Sequence, residues 1–156
     1  MRQFTFLTPY RWRRAAYLVR PEEETGQPYP AILFVHWYEP EAPNSNRTQF
    51  LNEAILLAQQ GVVSMLVETM WSDRDWFLKR TQADDRAQAI QQVVELRQAM
   101  DILLAEPGVD PEKFFYVGHD FGGMYSVLAG AVDQRPRGYV LMAATPRVPD
   151  WFLYYP

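Results

Sequence analysis

The chain has 156 residues, 48% of them apolar and 22% charged, which suits one domain with a real core and excludes disorder. A net charge of −4 leaves no basic footprint, so no nucleic acid partner is expected. Having no cysteine, the chain has no disulfide framework, thiolate metal site or thiol nucleophile.

The first residues, Met1 to Thr5, lack the apolar core of a signal peptide, and no apolar run approaches the roughly 20 residues of a membrane span. The expectation is a cytoplasmic protein with no membrane partner. Gln3 to Leu7 alternates polar and aromatic residues, and Ala15 to Val19 is apolar, with Pro9-Tyr10 between them. This predicts a β-hairpin. Glu22-Glu23-Glu24-Thr25-Gly26-Gln27-Pro28 reads as a solvated loop.

Ala31 to His36 is a continuous apolar run too short for a helix, which reads as a central parallel strand. Trp37 to Arg47, with Pro40 and Pro43, reads as loop. Phe50, Ala54, Leu57 and Ala58 recur at helical spacing, and Gly61 supplies a left-handed cap. Val62 to Val67 is the next strand. Glu68 to Arg80 reads as irregular and aromatic. Thr81 and Asp84 then suggest a capping box for a helix whose apolar stripe runs from Ile90 through Val93, Val94, Met100, Leu103 and Leu104. Pro107-Gly108 stops it, and Val109 to Glu112 reads as a turn.

Phe114 to Val117 reads as a buried strand that breaks into Gly118-His119-Asp120-Phe121-Gly122 before a small-residue helix, Gly122 to Val132. Strand, sharp turn and helix, with glycines two before and two after the tip, is the pattern of a nucleophile elbow with Asp120 at its tip. Gly138 to Ala143 is a last strand. There is no internal repeat or linker. Hairpin first, then strands alternating with helices, implies an α/β fold with a doubly wound, mostly parallel sheet. Ligands in such sheets bind beyond the carboxyl ends of the strands. That places Trp37, Tyr38, Glu68, Trp71, Trp76 and Asp120 around one crevice.

Four blocks carry a family resemblance: Pro30 to His36, Leu57 to Val63, Val109 to Lys113 leading into Val117 to Gly123, and Tyr139 to Ala144. In this order and spacing the chain resembles the α/β-hydrolase superfamily, most closely its dienelactone-hydrolase-like branch. The resemblance implies that Asp120 is the attacking residue. The backbone N–H groups of Phe121 and of Tyr38, or its neighbour Trp37, would form the oxyanion hole, and Gly118 and Gly122 would be the elbow glycines. Trp37 departs from the family's usual Gly after the His. Asp at the elbow resembles the haloalkane-dehalogenase and epoxide-hydrolase branches, in which a carboxylate forms an alkyl-enzyme ester. Phe121 departs from the Trp those branches commonly place next.

The implied activity is hydrolysis of an ester or lactone, or of an epoxide- or haloalkane-like small molecule. A non-catalytic binding or oligomerisation module is the alternative. A phospho-acceptor Asp is set aside, because His36-Trp37 stands where acidic metal ligands belong and Lys79 and Lys113 are poorly placed. Trp71, Trp76 and Glu68 are candidate pocket lining, with packing and structural roles weighed beside it. No cofactor and no metal are expected.

The resemblance also implies a triad acid and His on later loops. His36 and His119 read as structural or loop-orienting on elbow geometry, and only Asp133 and Asp150 lie downstream as acids. Trp151 to Tyr155 is a run of large apolar residues that needs cover. The expectation is therefore a single hydrolase domain, 1–156, lacking its C-terminal half. Either that half or a homo-oligomer would cover the run, and the stretch alone would be inactive.

Overall fold

The computed structural model describes residues 1–22, 26–42, 44–145 and 147. Glu23, Glu24, Asp150 and the Trp151–Pro156 run lie outside them. The hairpin forms as predicted: β1 (Arg2–Leu7) pairs antiparallel with β2 (Arg13–Val19), Phe4 opposite Ala16. β2 then pairs antiparallel with β4 (Val63–Val67). From there the sheet is parallel, through β3 (Tyr29–Val35), β5 (Val109–His119) and β6 (Gly138–Met142), in the order β1-β2-β4-β3-β5-β6.

Alternation along the strands divides the core in two. Leu33, Met65, Phe114 and Tyr116 point to the face covered by α3 (Asp85–Leu104) and α4 (Phe121–Gly130). Tyr17, Phe34 and Leu66 point to the other face, where α1 (Leu51–Ala58) lays Ala54, Ala58 and the preceding Phe50 on them. The Phe34 and Phe50 rings stack at 4.9 Å. Every residue of β4 is buried, as a central strand with both faces covered requires. Gly61 closes α1 at φ +81, with Val62 N–H reaching back to the Leu57 carbonyl, so the predicted left-handed cap is real.

The structure differs from the sequence reading in four places. The supposedly irregular stretch after β4 contains a 3₁₀ turn (Met70–Ser72) and a short α2 (Trp76–Lys79). The capping box at Thr81 does not form: the Thr81 hydroxyl donates to the Asp84 carboxylate (2.6 Å), and Asp84 makes no side-chain bond to the α3 backbone. α3 is less cleanly amphipathic than its apolar stripe suggests, because Ile90 is exposed while Gln92 and Glu95 are buried. These two are satisfied, Gln92 by the Met70 N–H and Glu95 by Arg14 at 2.8 Å and by Gln91. Finally, Val109 to Glu112 is not a turn but the start of β5, where Val109 registers with Tyr29. Among the described residues no helix is long and apolar enough to cross a membrane.

Among the described residues β6 is an edge strand, and three successive residues on it are exposed: Tyr139, Val140 and Leu141. Val140, with Phe115 near it on β5, lies on the face that α1 covers elsewhere, while Tyr139 and Leu141 point to the face of α4.

Candidate active site

β5 delivers the chain to the carboxyl rim of the sheet, and α4 starts there at once. The residue between them, Asp120, has φ 50° and ψ −113°, a conformation that costs a non-glycine residue about 1–3 kcal/mol. Bonds on both sides hold it. The Asp120 N–H donates to the Met142 carbonyl at the end of β6, and its carbonyl accepts from the Met124 N–H, both at 2.8 Å. The two flanking glycines are steric necessities. A Cβ on Gly118 would collide with the Gly122 carbonyl, and one on Gly122 would lie 2.7 Å from the Val35 carbonyl carbon on β3. Two supports were not foreseen. Gly123 has Ala144 at its back, and the buried Tyr116 hydroxyl donates to the Gly122 carbonyl at 3.1 Å.

Burial pushes the Asp120 carboxyl above the usual carboxylate range, while a hydrogen bond from the Phe121 N–H and the nearby His119 ring pull it back. The first N–H of α4 therefore already faces the carboxylate. Trp37 is poorly placed as the second donor, because its N–H is taken by Gln49 Oε1 at 3.1 Å. Of the two alternatives, this leaves the Tyr38 N–H. Gln49 is a site residue that the sequence reading missed: its other amide atom, Nε2, lies 2.6 Å from His119 Nδ1. Since Oε1 accepts from Trp37, Nε2 donates, and His119 Nδ1 must be an acceptor. The His119 ring also stacks on Trp37, centroids 5.0 Å apart. Gln49 thus ties the loop after β3 to the elbow, but it lies in a polar loop with no spacing signal.

His36 is buried at the end of β3. Its Nδ1 can only donate to the Trp37 carbonyl (2.7 Å), so Nε2 accepts, with Ser72 Oγ at 2.9 Å and Thr69 Oγ1 at 3.1 Å. Burial holds it to about 4, neutral near pH 7. It binds the 3₁₀ turn to the sheet and is not directed at Asp120.

Of the pocket-lining and packing roles weighed for Trp71 and Trp76, the structure shows both rings packed. Trp71 is fully buried, stacked against Phe121 at 5.6 Å, and its Nε1 donates to the His36 carbonyl. Trp76 meets Phe121 edge-on at 5.4 Å and donates to Gln88. Tyr38 and Phe77 complete this cluster, and the Tyr38 hydroxyl donates to the Arg74 carbonyl at 2.9 Å. Large rings at the end of a twisted sheet bury more area against each other than they would lining an open crevice. Glu68 is also engaged structurally. It accepts from the Ala15 N–H at 2.7 Å and from Arg47 at 3.2 Å, splicing the end of β4 to β2. Asp133 is clamped by Arg97 and Arg135, and these guanidinium groups hold its carboxyl far below the usual range. It lies past the far end of α4, about 15 Å of helix from Asp120, out of reach of the elbow.

No family model matches the chain, and no curated protein is similar to it. Solved structures are. A hypothetical protein of Pseudomonas aeruginosa superposes with a TM-score of 0.67 at 21% identity, over 92% of this chain and 42% of its own. A candidate dienelactone hydrolase of Klebsiella pneumoniae gives 0.66 at 17% identity, over 92% and 60%. The α/β hydrolase GrgF of a Penicillium species gives 0.66 at 19%, over 98% and 52%. The chain thus spans from under half to about three fifths of these proteins, and its sheet and helices share the fold of these α/β hydrolases.

Proposed function

We propose that this chain is the nucleophile-bearing part of a hydrolase, with Asp120 attacking an ester, lactone, epoxide or haloalkane-like small molecule. The supporting observation is Asp120 itself, forced to positive φ by a turn with no room for a Cβ at Gly118 or Gly122. Its carboxylate sits at the N-terminus of α4. A carboxylate suits attack at an sp3 carbon best. Asp120 Oδ bonds to that carbon, and the C–halogen or C–O bond breaks with its electron pair going to the leaving group. Water then adds to the Asp120 carbonyl carbon, and the alcohol leaves as the carboxylate reforms. The Phe121 and Tyr38 N–H groups are the donors for the oxyanion of that second step.

The second step needs a base to take the proton from water. His36 is committed to Ser72, Thr69 and Trp37, and His119 Nδ1 to Gln49. The base and its acid therefore come from outside the described residues. The segment that brings them also covers β6, whose outer edge is unpaired among the described residues.

The second reading, a hydrolase-like binding module, draws on the same engaged histidines. Incubation with ester, lactone, epoxide and haloalkane panels, followed by mass spectrometry of the Asp120 peptide, separates the two. A substrate-derived mass on Asp120 is expected from the epoxide or haloalkane set. No adduct in any panel leaves the binding module.

A further inference from the structure

The tip of the β1–β2 hairpin has no role in the site just described, yet it is the most distinctive exposed surface of the molecule. Within seven residues it presents Leu7, Tyr10 and Trp12, exposed by 55%, 44% and 58%, together with exposed Arg11 and Arg13. It is not a loose end. Thr8 N–H donates to the Trp12 carbonyl at 2.8 Å, Trp12 N–H to Thr8 Oγ1 at 3.2 Å, and Arg11, at φ 64°, donates back to Thr8. A rigid turn therefore holds two aromatic rings and two guanidinium groups in water. Among the described residues, no ion pair is recorded for Arg11 or Arg13. The carboxylates nearby act on Arg14, Glu95 by contact and Asp73 across space. The tip is a basic, aromatic point on a chain whose net charge is −4.

We propose that this tip docks on an anionic lipid surface, its Trp12 and Tyr10 rings at headgroup level and Arg11 and Arg13 on the phosphates. Trp and Tyr are the side chains that settle at a membrane–water interface, apolar in body and polar at the edge. Arginines beside them add electrostatic attraction to anionic headgroups. Two free arginines without a basic track are too few for a nucleic-acid groove. The absence of a spanning helix says nothing against a surface contact of this kind. The tip also shares its rim with Asp120: β2 begins beside the carboxyl end of β4, where Ala15 bonds Glu68. Three strand spacings, about 14 Å, separate that point from β5, so a docked chain turns the elbow toward the lipid.

Co-sedimentation of the 156-residue chain with vesicles of equal phosphatidylglycerol and phosphatidylcholine, and with phosphatidylcholine alone, tests this. The expected result is binding to the anionic vesicles at low salt, weakened by high salt and absent on the neutral ones. The net negative charge makes that preference informative, since the molecule as a whole is repelled. The double variant Arg11→Glu/Arg13→Glu should bind at least about tenfold more weakly. Tyr10→Ser/Trp12→Ser should also lose binding. Lys113→Glu, toward the opposite rim, should bind like the parent. All three sets replace exposed side chains, and unchanged thermal unfolding confirms that the fold is intact. No binding to anionic vesicles, equal binding to neutral ones, or full binding by the Arg11/Arg13 variant overturns the proposal. So does displacement from the vesicles by a single-stranded oligonucleotide through the same residues.

Discussion

The β3–β4 and β5–β6 halves of this sheet are finished to different degrees. On β4 every residue is buried, both faces carry helices, and the carboxyl rim is roofed by Tyr38, Trp71, Trp76, Phe77 and Phe121. On β6 three successive side chains meet water, and Phe115 on β5 is also exposed. The elbow stands on the border. From β3 it takes the Val35 carbonyl that excludes a Cβ at Gly122, and from β6 the Met142 carbonyl that holds the Asp120 N–H. The fully packed half fixes where Asp120 is. The bare half leaves the other side of the elbow open among the described residues.

The border itself gives the largest expected effect. Gly122→Ala drives a methyl into the Val35 backbone, which cannot move without breaking the β3–β5 ladder. The expected loss is above about 4 kcal/mol, enough to unfold most of the protein in a urea titration. Gly26→Ala is the contrast, because Gly26 has a positive φ (+67°) that Gly122 lacks, while the space around it is open. It should cost only about 1 kcal/mol. A loss at Gly122 no larger than that at Gly26 would mean that the close approach of β3 does not exclude a side chain at the elbow.

Next comes the contrast between the two halves. Trp71→Ala empties a fully buried site and strips a donor from the His36 carbonyl, for an expected loss of about 3–5 kcal/mol. Val140→Lys puts a charge on the bare strand, and its expected effect is within about 0.5 kcal/mol. Matched chemical-denaturation curves decide it. A loss at Val140 approaching that at Trp71 would mean the β6 face is covered in solution, and the comparison between halves would collapse.

His36 sharpens the same contrast through pH. Burial lowers it from 6.5 to about 4, so between those values the unfolded chain binds a proton that the folded chain refuses. Stability is therefore full above pH 6.5 and falls as the pH drops toward 4, by about 3 kcal/mol at most. Asp133, lowered by its arginines, loses its contribution only below its unfolded value of 3.8, outside this window. Asp120, raised, acts with the opposite sign as pH falls. Urea midpoints from pH 7 to 4.5 should decline in the parent and flatten in His36→Gln. A parent that holds its midpoint over that range would show that His36 charges freely and is not locked under the 3₁₀ turn.

The sequence disclosed the parts of this structure that are dictated locally. The glycines of the elbow were legible because a tip at positive φ requires them, and Gly61 because a helix end does. The continuous apolar runs of β3 and β4 gave the packed half of the sheet. What was not legible depends on partners distant in the chain. Gln92 and Glu95 break the helical pattern because Met70 and Arg14 satisfy them from other elements. Pocket lining and packing stayed open for Trp71 because a loop position does not reveal that its ring is stacked under Phe121. Gln49 and His119 meet across 70 residues, and nothing in either neighbourhood announces the contact.

The smallest expected effect bears on the tip of the elbow. At φ 50° and ψ −113° Asp120 carries backbone strain, and its partly buried carboxylate opposes folding at neutral pH, since burial has raised its titration. Asp120→Asn removes the charge and keeps the strain, whereas Asp120→Gly removes both. Each should be more stable than the parent, by about 1 kcal/mol or less for Asn and somewhat more for Gly, read as a rise in thermal midpoint. A residue that serves only the fold has no reason to oppose it, so a gain in both variants marks a position held for chemistry. Parent stability above both would make Asp120 a structural acid and remove the main physical reason for treating the elbow as a site.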